Sequence, residues 1–318
     1  MIDGAANTSG ELPRVAYRDA KKLWSTEGLS IVAPAYNEGE AIDSVLRELT
    51  AALGGIAGAY EIIVVDDGSE DDTAAIAGWF EEVTVLRHRS NRGYGAALKT
   101  GIRHAVYDLI CIVDADGTYP VDAVPDLARR LVDGRSDMIV GARVGEEVEI
   151  PMIRRPAKWA IRQLANFITG ECIPDLNSGM RVFRRGTALR MFSILPNGFS
   201  FTTTITLAML TNGYLVDYVP INYHARVGRS KISPVRDTLH FIQLVGRIAL
   251  YFAPLKIFLP ASAAFFMLAV GWALFSKLAL GRLADVSTLV IAMTAFQVAL
   301  IGMLAELVNR RLPNYYKE

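Results

Sequence analysis

Residues 29–140 alternate short apolar runs with stretches of helical periodicity. Leu29–Ala33, Glu61–Val65, Val83–Arg87, Leu109–Val113 and Met138–Val140 read as strands. Gly39–Leu53, Asp72–Trp79, Tyr94–Ala105 and Val121–Val132 read as helices. This alternation predicts an α/β domain with an open, mostly parallel sheet flanked by helices. Ligands of such sheets bind beyond the carboxyl ends of the strands.

The pattern changes character towards the C-terminus. Pro234–Phe252 places Val235, Leu239, Ile242, Val245, Ala249 and Phe252 on one helical stripe, opposite Arg236, His240, Gln243 and Arg247. That reads as an amphipathic helix lying in a membrane interface or packed on the globular domain. Ile257–Ser276 and Val286–Ala305 are uncharged runs of 20 residues each. At about 1.5 Å per residue a helix of that length spans a hydrocarbon core of roughly 30 Å. Pro260 falls in the first turns of the first span, where its missing N–H costs least. Only Lys277–Asp285 joins the spans, so they form a tight hairpin with both flanks on one side.

Charge assigns that side. Arg229, Lys231, Arg236, Arg247 and Lys256 precede the hairpin, and Arg310, Arg311 and Lys317 follow it, whereas the turn carries only Lys277 and Arg282. The positive-inside rule puts both termini in the cytoplasm. Residues 1–28 hold no apolar h-region and read as a loose arm. The expected organisation is an arm over 1–28, a catalytic domain over 29–232, an interfacial helix over 233–253, two spans over 254–308 and a cytoplasmic tail over 309–318. A cell (inner) membrane location follows, with the globular domain cytoplasmic.

Composition supports this division. The 318 residues hold 33 basic and 33 acidic side chains, a net charge of zero that argues against a nucleic-acid partner. Mean hydropathy is +0.27, yet of the 66 charges only five lie between 254 and 307. Two cysteines, Cys111 and Cys172, build neither a disulfide framework nor a Cys-rich zinc site.

Four polar clusters fall at predicted strand ends or helix starts: Pro34-Ala35-Tyr36-Asn37-Glu38, Asp66-Asp67-Gly68-Ser69, Asn91-Arg92-Gly93-Tyr94-Gly95 and Asp114-Ala115-Asp116-Gly117-Thr118. Each alone is an ordinary cap or turn; together they make a site. Gly93–Leu98 lacks the third glycine of a dinucleotide fingerprint, and Gly95–Thr100 has Leu98 where a P-loop requires Gly. Asp114 and Asp116, two residues apart on a turn, can both face a hard divalent cation that also takes phosphate oxygens.

In order and spacing these motifs resemble the family 2 glycosyltransferases, whose nucleotide-sugar-binding fold is the Rossmann-like GT-A fold. Gly141-Ala142-Arg143, Asn177-Ser178-Gly179-Met180-Arg181 and Arg226-Val227-Gly228-Arg229-Ser230-Lys231 resemble the dolichyl- or polyprenyl-phosphate branch, of which dolichyl-phosphate mannose synthase is the best-known example. The resemblance covers residues 29 to about 232, and the hairpin is similar to two-span members. It implies that Pro34, Tyr36, Glu38, Val65 and Asp67 hold base and ribose. Asp114, Ala115 and Asp116 would hold the pyrophosphate with Mg²⁺ or Mn²⁺, and Thr118, where relatives often have Gln, would be a further metal ligand or act through water. Arg143 and Arg155, beside Arg154, would hold the acceptor phosphate, and Arg226 and Lys231 would close over the donor phosphates. Asp114, Asp116 and Arg143 are thus the expected catalytic set.

The implied activity is inverting transfer of a sugar from a GDP- or UDP-linked donor to a polyprenyl or dolichyl phosphate at the bilayer. A homo-oligomer is compatible with it. One alternative is a transferase acting on a lipid or glycan hydroxyl, for which Asp175 would be the base. Another is a membrane-tethered sugar-nucleotide sensor. A processive polysaccharide synthase is disfavoured, since no Gln-x-x-Arg-Trp occurs.

The hairpin topology makes a direct prediction. A cysteine at 281 reacts with an impermeant thiol reagent in intact cells and one at 314 is protected; the reverse labelling refutes the orientation.

Overall fold

The computed structural model describes residues 28–54, 58–144, 155–223, 250–279, 281 and 285–311. Nearly all of the expected arm and interfacial helix lies outside them, as do Arg154, Arg226, Arg229 and Lys231. Strands β1 (Leu29–Ala35), β2 (Tyr60–Asp66), β3 (Val83–Arg87), β4 (Leu109–Ile112), β5 (Met138–Val144), β6 (Arg181–Arg184) and β7 (Val216–Asn222) form one sheet in the order β3-β2-β1-β4-β6-β5-β7. All neighbours are parallel except β6, which runs antiparallel to both β4 and β5. The mostly parallel α/β reading holds.

Strand side chains alternate between two cores, as the period of two requires. Ile31, Ala33, Ile62, Val64, Leu109 and Cys111 face one core. Val32, Ile63, Val65, Ile110 and Ile112 face the other. Helix α1 (Ile42–Gly54) covers the first face with Ile42, Val45, Leu46, Leu49 and Leu53. On the other face lies α3 (Tyr94–His104), with Ala97, Leu98 and Ile102. Burial on both faces explains why the central strands carry unbroken apolar runs.

Boundaries moved where local chemistry competes with periodicity. The helix expected over 72–79 shrinks to α2 (Thr73–Ala77). The one expected over 121–132 begins as a 3₁₀ turn, Val121–Ala123, before α4 (Val124–Asp133), with a proline in the first turn of α4. The sequence patterns had not indicated β6, β7 or the helices α5 (Arg155–Thr169), α6 (Arg185–Arg190) and α7 (Phe201–Thr211). Helix α7 is buried all round, from Phe201 through Met209, so it shows no amphipathic stripe.

Two long helices, α8 (Pro254–Ala279) and α9 (Asp285–Arg311), pack as a hairpin. Their best windows have mean hydropathies of 2.0 and 2.1 and are almost unburied, so both are long and apolar enough to cross a membrane. Ser262 donates to the Ala295 carbonyl at 2.8 Å and Trp272 Nε1 to Ser287 Oγ at 2.7 Å, tying one helix to the other. Pro260 lies inside α8, beyond the first turn expected from sequence, because the helix starts at Pro254.

The foot of this hairpin is seated on the globular domain. Phe252 and Ala253 pack with Ala165, Ile168, Ile173, Leu176 and Leu207. The Lys256 ammonium donates to the Ile168 carbonyl at 2.8 Å, near the C-terminus of α5, where a cation is favoured.

Candidate active site

Strand order reverses between β1 and β4, and the polar motifs gather beyond the carboxyl ends of β1, β2, β3, β4 and β5. On one side lies a cleft of about 640 Å³ lined by Tyr36, Ser69, Glu70, Arg87, His88 and Asn91, among others. Asn37, in the left-handed region at φ 53°, shapes its edge: its amide oxygen accepts from Glu70 N and its own N–H donates to Ser69 Oγ.

Sequence-expected base and ribose residues fall into two groups here. Tyr36 lines the cleft, and Glu38 lies partly exposed on the adjacent loop. Pro34 and Val65, partners in β1–β2 register, are buried, and the Val65 side chain belongs to the core. Asp67 is 3% exposed. Its carboxylate accepts from Arg92 N at 3.0 Å, Gly93 N at 2.7 Å and the His88 ring at 2.6 Å. It therefore clamps the Asn91–Gly95 loop beneath the cleft. Gly93 adopts φ +100°, and a Cβ there would press on the Asn197 carbonyl, so the clamp requires glycine.

Beyond β4 the two carboxylates sit on one turn. Burial, and then the charge of Asp116, push Asp114 up to about 6, opposed by a 2.8 Å hydrogen bond from the Tyr94 hydroxyl. Asp114 nonetheless keeps part of its surface open. Thr118 is fully buried and donates both its hydroxyl, at 2.6 Å, and its N–H, at 3.2 Å, to Asp116 Oδ1. Its hydroxyl orients Asp116, the expected metal ligand beside it. Gly179 faces Asp114 so closely that a Cβ would run into the carboxylate. No cluster of three or more His, Cys, Asp or Glu suited to a metal occurs among the described residues. Two mutually repelling carboxylates on one open turn nevertheless fit Mg²⁺ or Mn²⁺, which bind through one or two carboxylates plus substrate phosphates.

Arg143, on β5, forms a bidentate ion pair with Asp175: Nε to Oδ2 at 2.7 Å and Nη2 to Oδ1 at 2.9 Å. The guanidinium also lies 5.4 Å from the Tyr223 ring centroid. The pair holds Arg143 above its ordinary value and Asp175 below the usual carboxylate range, in each case against the burial that opposes the charged form. Arg155 is the first residue of α5.

Some residues at the site had no role assigned from sequence. Tyr94 is one; it stacks on Phe199 and donates to Asp114. Arg181 is another, fully buried, with Nη1 donating at 3.0 Å to the Thr202 carbonyl and Thr206 Oγ1 and Nη2 to the Ser178 carbonyl. Burial lowers its pKa, and its positive charge favours ionised Asp114. Both lay inside motifs visible in the chain, but their directions depend on packing.

Comparison with known proteins bears on this geometry. Residues 30–192 match the model of glycosyl transferase family 2, and 253–310 match the GtrB C-terminal hairpin. A dolichyl-phosphate hexose transferase of Haloferax volcanii is 31% identical over 212 residues, covering 66% of this chain and 89% of that protein. A polyprenol monophosphomannose synthase of Mycolicibacterium smegmatis is 29% identical over 70% of this chain and 88% of its own length. The fold is shared with glucosyl-3-phosphoglycerate synthase from Mycobacterium tuberculosis, solved with Mn²⁺, uridine diphosphate and phosphoglyceric acid. Its TM-score is 0.60 at 20% identity, over 76% of this chain and 84% of that one. The GT-A fold expected from sequence is thus present, and the chain is a glycosyltransferase belonging to glycosyl transferase family 2.

Proposed function

We propose that this glycosyltransferase is anchored in the cell (inner) membrane by its C-terminal hairpin and transfers a sugar, with inversion, from a GDP- or UDP-linked donor to a polyprenyl phosphate. The names of the relatives support the acceptor class. The observation that carries the reading is the state of Asp175. A hydroxyl acceptor needs a general base, and the carboxylate best placed by sequence for that task is locked to Arg143 and held ionised. A lipid phosphate is already an anion near neutral pH and attacks the anomeric carbon without one.

The chemical task is then to bring anions together. Two unit negative charges about 6 Å apart repel by about 3 kcal/mol at an effective dielectric near 20. Arg143 offsets that repulsion on the acceptor side, joined in this proposal by Arg155. Arg226 and Lys231 would do so over the donor phosphates, while Tyr36 and Glu38 hold base and ribose, with backbone at Pro34, Val65 and Ala115. Asp114 and Asp116, aligned by Tyr94 and Thr118, would hold Mg²⁺ or Mn²⁺. A bound divalent cation supplies charge neutralisation to the departing nucleoside diphosphate. The domain division over 1–28, 29–232, 233–253, 254–308 and 309–318 belongs to the same proposal, with the catalytic domain cytoplasmic and no nucleic-acid partner.

Two predictions test this. First, Asp116→Ala abolishes transfer while the protein still folds and inserts, and wild-type activity disappears in excess EDTA; activity that persists in EDTA contradicts metal dependence. The pH response has a defined sign. Asp114 holds its proton more tightly in the fold, at about 6 against 3.8, so its ionised form destabilises the metal-free protein above pH 6 and the penalty is relieved as pH falls towards 4. Asp114→Asn should therefore raise the metal-free melting temperature at pH 7.5, by a stabilisation on the order of 3 kcal/mol, and flatten that pH dependence.

Second, purified enzyme offered undecaprenyl phosphate, the matching alcohol and diacylglycerol with one labelled donor uses the phosphate. Arg143→Ala weakens its use far more than binding of the nucleotide sugar. Arg143→Lys rescues in part, because an ammonium cannot present the guanidinium fork to two phosphate oxygens. Efficient transfer to a neutral lipid with none to the phosphate overturns the acceptor assignment.

A further inference from the structure

The Asp175 carboxylate accepts four N–H donors. Oδ2 takes Arg143 Nε at 2.7 Å and Arg143 N at 3.2 Å; Oδ1 takes Arg143 Nη2 at 2.9 Å and Asn177 N at 3.1 Å. An ionised carboxylate has about four lone-pair sites, so this one has none left for a substrate proton. The side chains of the pair are only 18% and 12% exposed. Asp175 grips Arg143 by its side edge, Nε and Nη2. The end edge, Nη1 with the second Nη2 hydrogen, has no hydrogen-bond partner among the described residues. That edge is the one that presents two parallel N–H groups to a second oxyanion.

The surroundings fix the pair. Tyr223 lies 5.4 Å from the guanidinium and meets Tyr119 edge-on at 5.3 Å, and the Tyr119 hydroxyl accepts from Gly179 N at 2.6 Å beside Asp114. Contacts thus run without a break from Asp175 to the metal-binding turn. In the chain Asp175 lies between Ile173 and Leu176, which belong to the same apolar cluster as Phe252 and Ala253 at the foot of the hairpin. The residue holding Arg143 is therefore built into the seat of the membrane anchor.

We infer that Asp175 is a positioning residue: it holds Arg143 with its free edge available to the acceptor phosphate and keeps that cation off the Asp114-Ala115-Asp116 turn. Arg143 is within Coulombic reach of Asp114. Released from Asp175, the guanidinium would be drawn to the two carboxylates that the proposed cation needs. The Asp175 charge itself repels an incoming phosphate, so the opposite role, a competitor that phosphate must displace, has the opposite signature. Four hydrogen bonds, two of them short and from the guanidinium and two from backbone N–H groups that an incoming phosphate does not replace, favour the positioning role. This inference rests on the lipid-phosphate reading given above.

The experiment uses the full-length enzyme in detergent micelles with undecaprenyl phosphate, and the donor selected from UDP-glucose, UDP-N-acetylglucosamine and GDP-mannose. At saturating divalent cation Asp175→Asn should raise KM for undecaprenyl phosphate about tenfold, with KM for the donor and kcat changed less than about threefold; at limiting cation the released guanidinium should raise KM for the donor as well. In an Arg143→Ala background the same change should add no further loss, as expected for two residues acting through one contact. Asp175→Glu, which keeps the charge but displaces the oxygens, should give a smaller rise in the same KM. If Asp175→Asn fails to bind the nucleoside diphosphate, Asp175→Glu and its double variant with Arg143→Ala carry the comparison.

Loss of kcat with acceptor KM unchanged would make Asp175 a base. A lowered acceptor KM would make it a competitor, and multiplicative losses in the double variant would separate it from Arg143. Each of these overturns the inference while leaving phosphate transfer by the wild type intact. Wild-type transfer to undecaprenol with none to the phosphate overturns the underlying reading as well.

Discussion

Like charges must be gathered at one sheet edge, and most of the site answers to that constraint. Asp114 and Asp116 already repel each other there, which helps push Asp114 up to about 6 before any phosphate arrives. The fold tolerates this cost because other forces hold the turn. Tyr94 donates to one carboxylate and Thr118 to the other, and buried Arg181 adds positive charge behind them. Two carboxylates kept open on one turn suit a divalent cation better than they suit stability, the usual bargain where function places a charge.

The second consequence is that cations near the turn must be restrained. Arg143 is the instructive case. A guanidinium beside two carboxylates would ordinarily collapse onto them; here a third carboxylate, Asp175, holds it aside with ideal side-on geometry. The same short segment rests on the foot of the apolar hairpin through Ile173 and Leu176. Seating of the hairpin and orientation of Arg143 therefore share one piece of backbone.

Several residues in the motifs turn their side chains inward. Asp67 spends its carboxylate on Arg92 N, Gly93 N and His88, so it shapes the cleft from beneath. Thr118 turns inward to Asp116. Val65 is core. In each case burial decides, because a buried polar group must satisfy its hydrogen bonds with the nearest protein partner and an apolar side chain in a central strand has no exposed face to offer.

The α/β class, the five parallel strands, the polar clusters at their carboxyl ends and the apolar hairpin are legible along the chain, since these rest on periodicity and on runs of one kind of residue. Ile62–Val65 can be read because every position is apolar, and Val286–Ala305 because 20 residues pass without a charge. Antiparallel β6, four residues with an arginine at each end, carries no such pattern, and α7, buried on every side, has no stripe to betray it. Which side chains at the motifs point outward and which are consumed inside depends on packing between distant segments. Arg143 and Asp175 are 32 residues apart and meet only because β6 inserts between β4 and β5, bringing the loop before β6 against the end of β5. A hydrogen-bond partner distant in sequence leaves no local periodicity, and the roles that depend on one became legible only once the chain had folded.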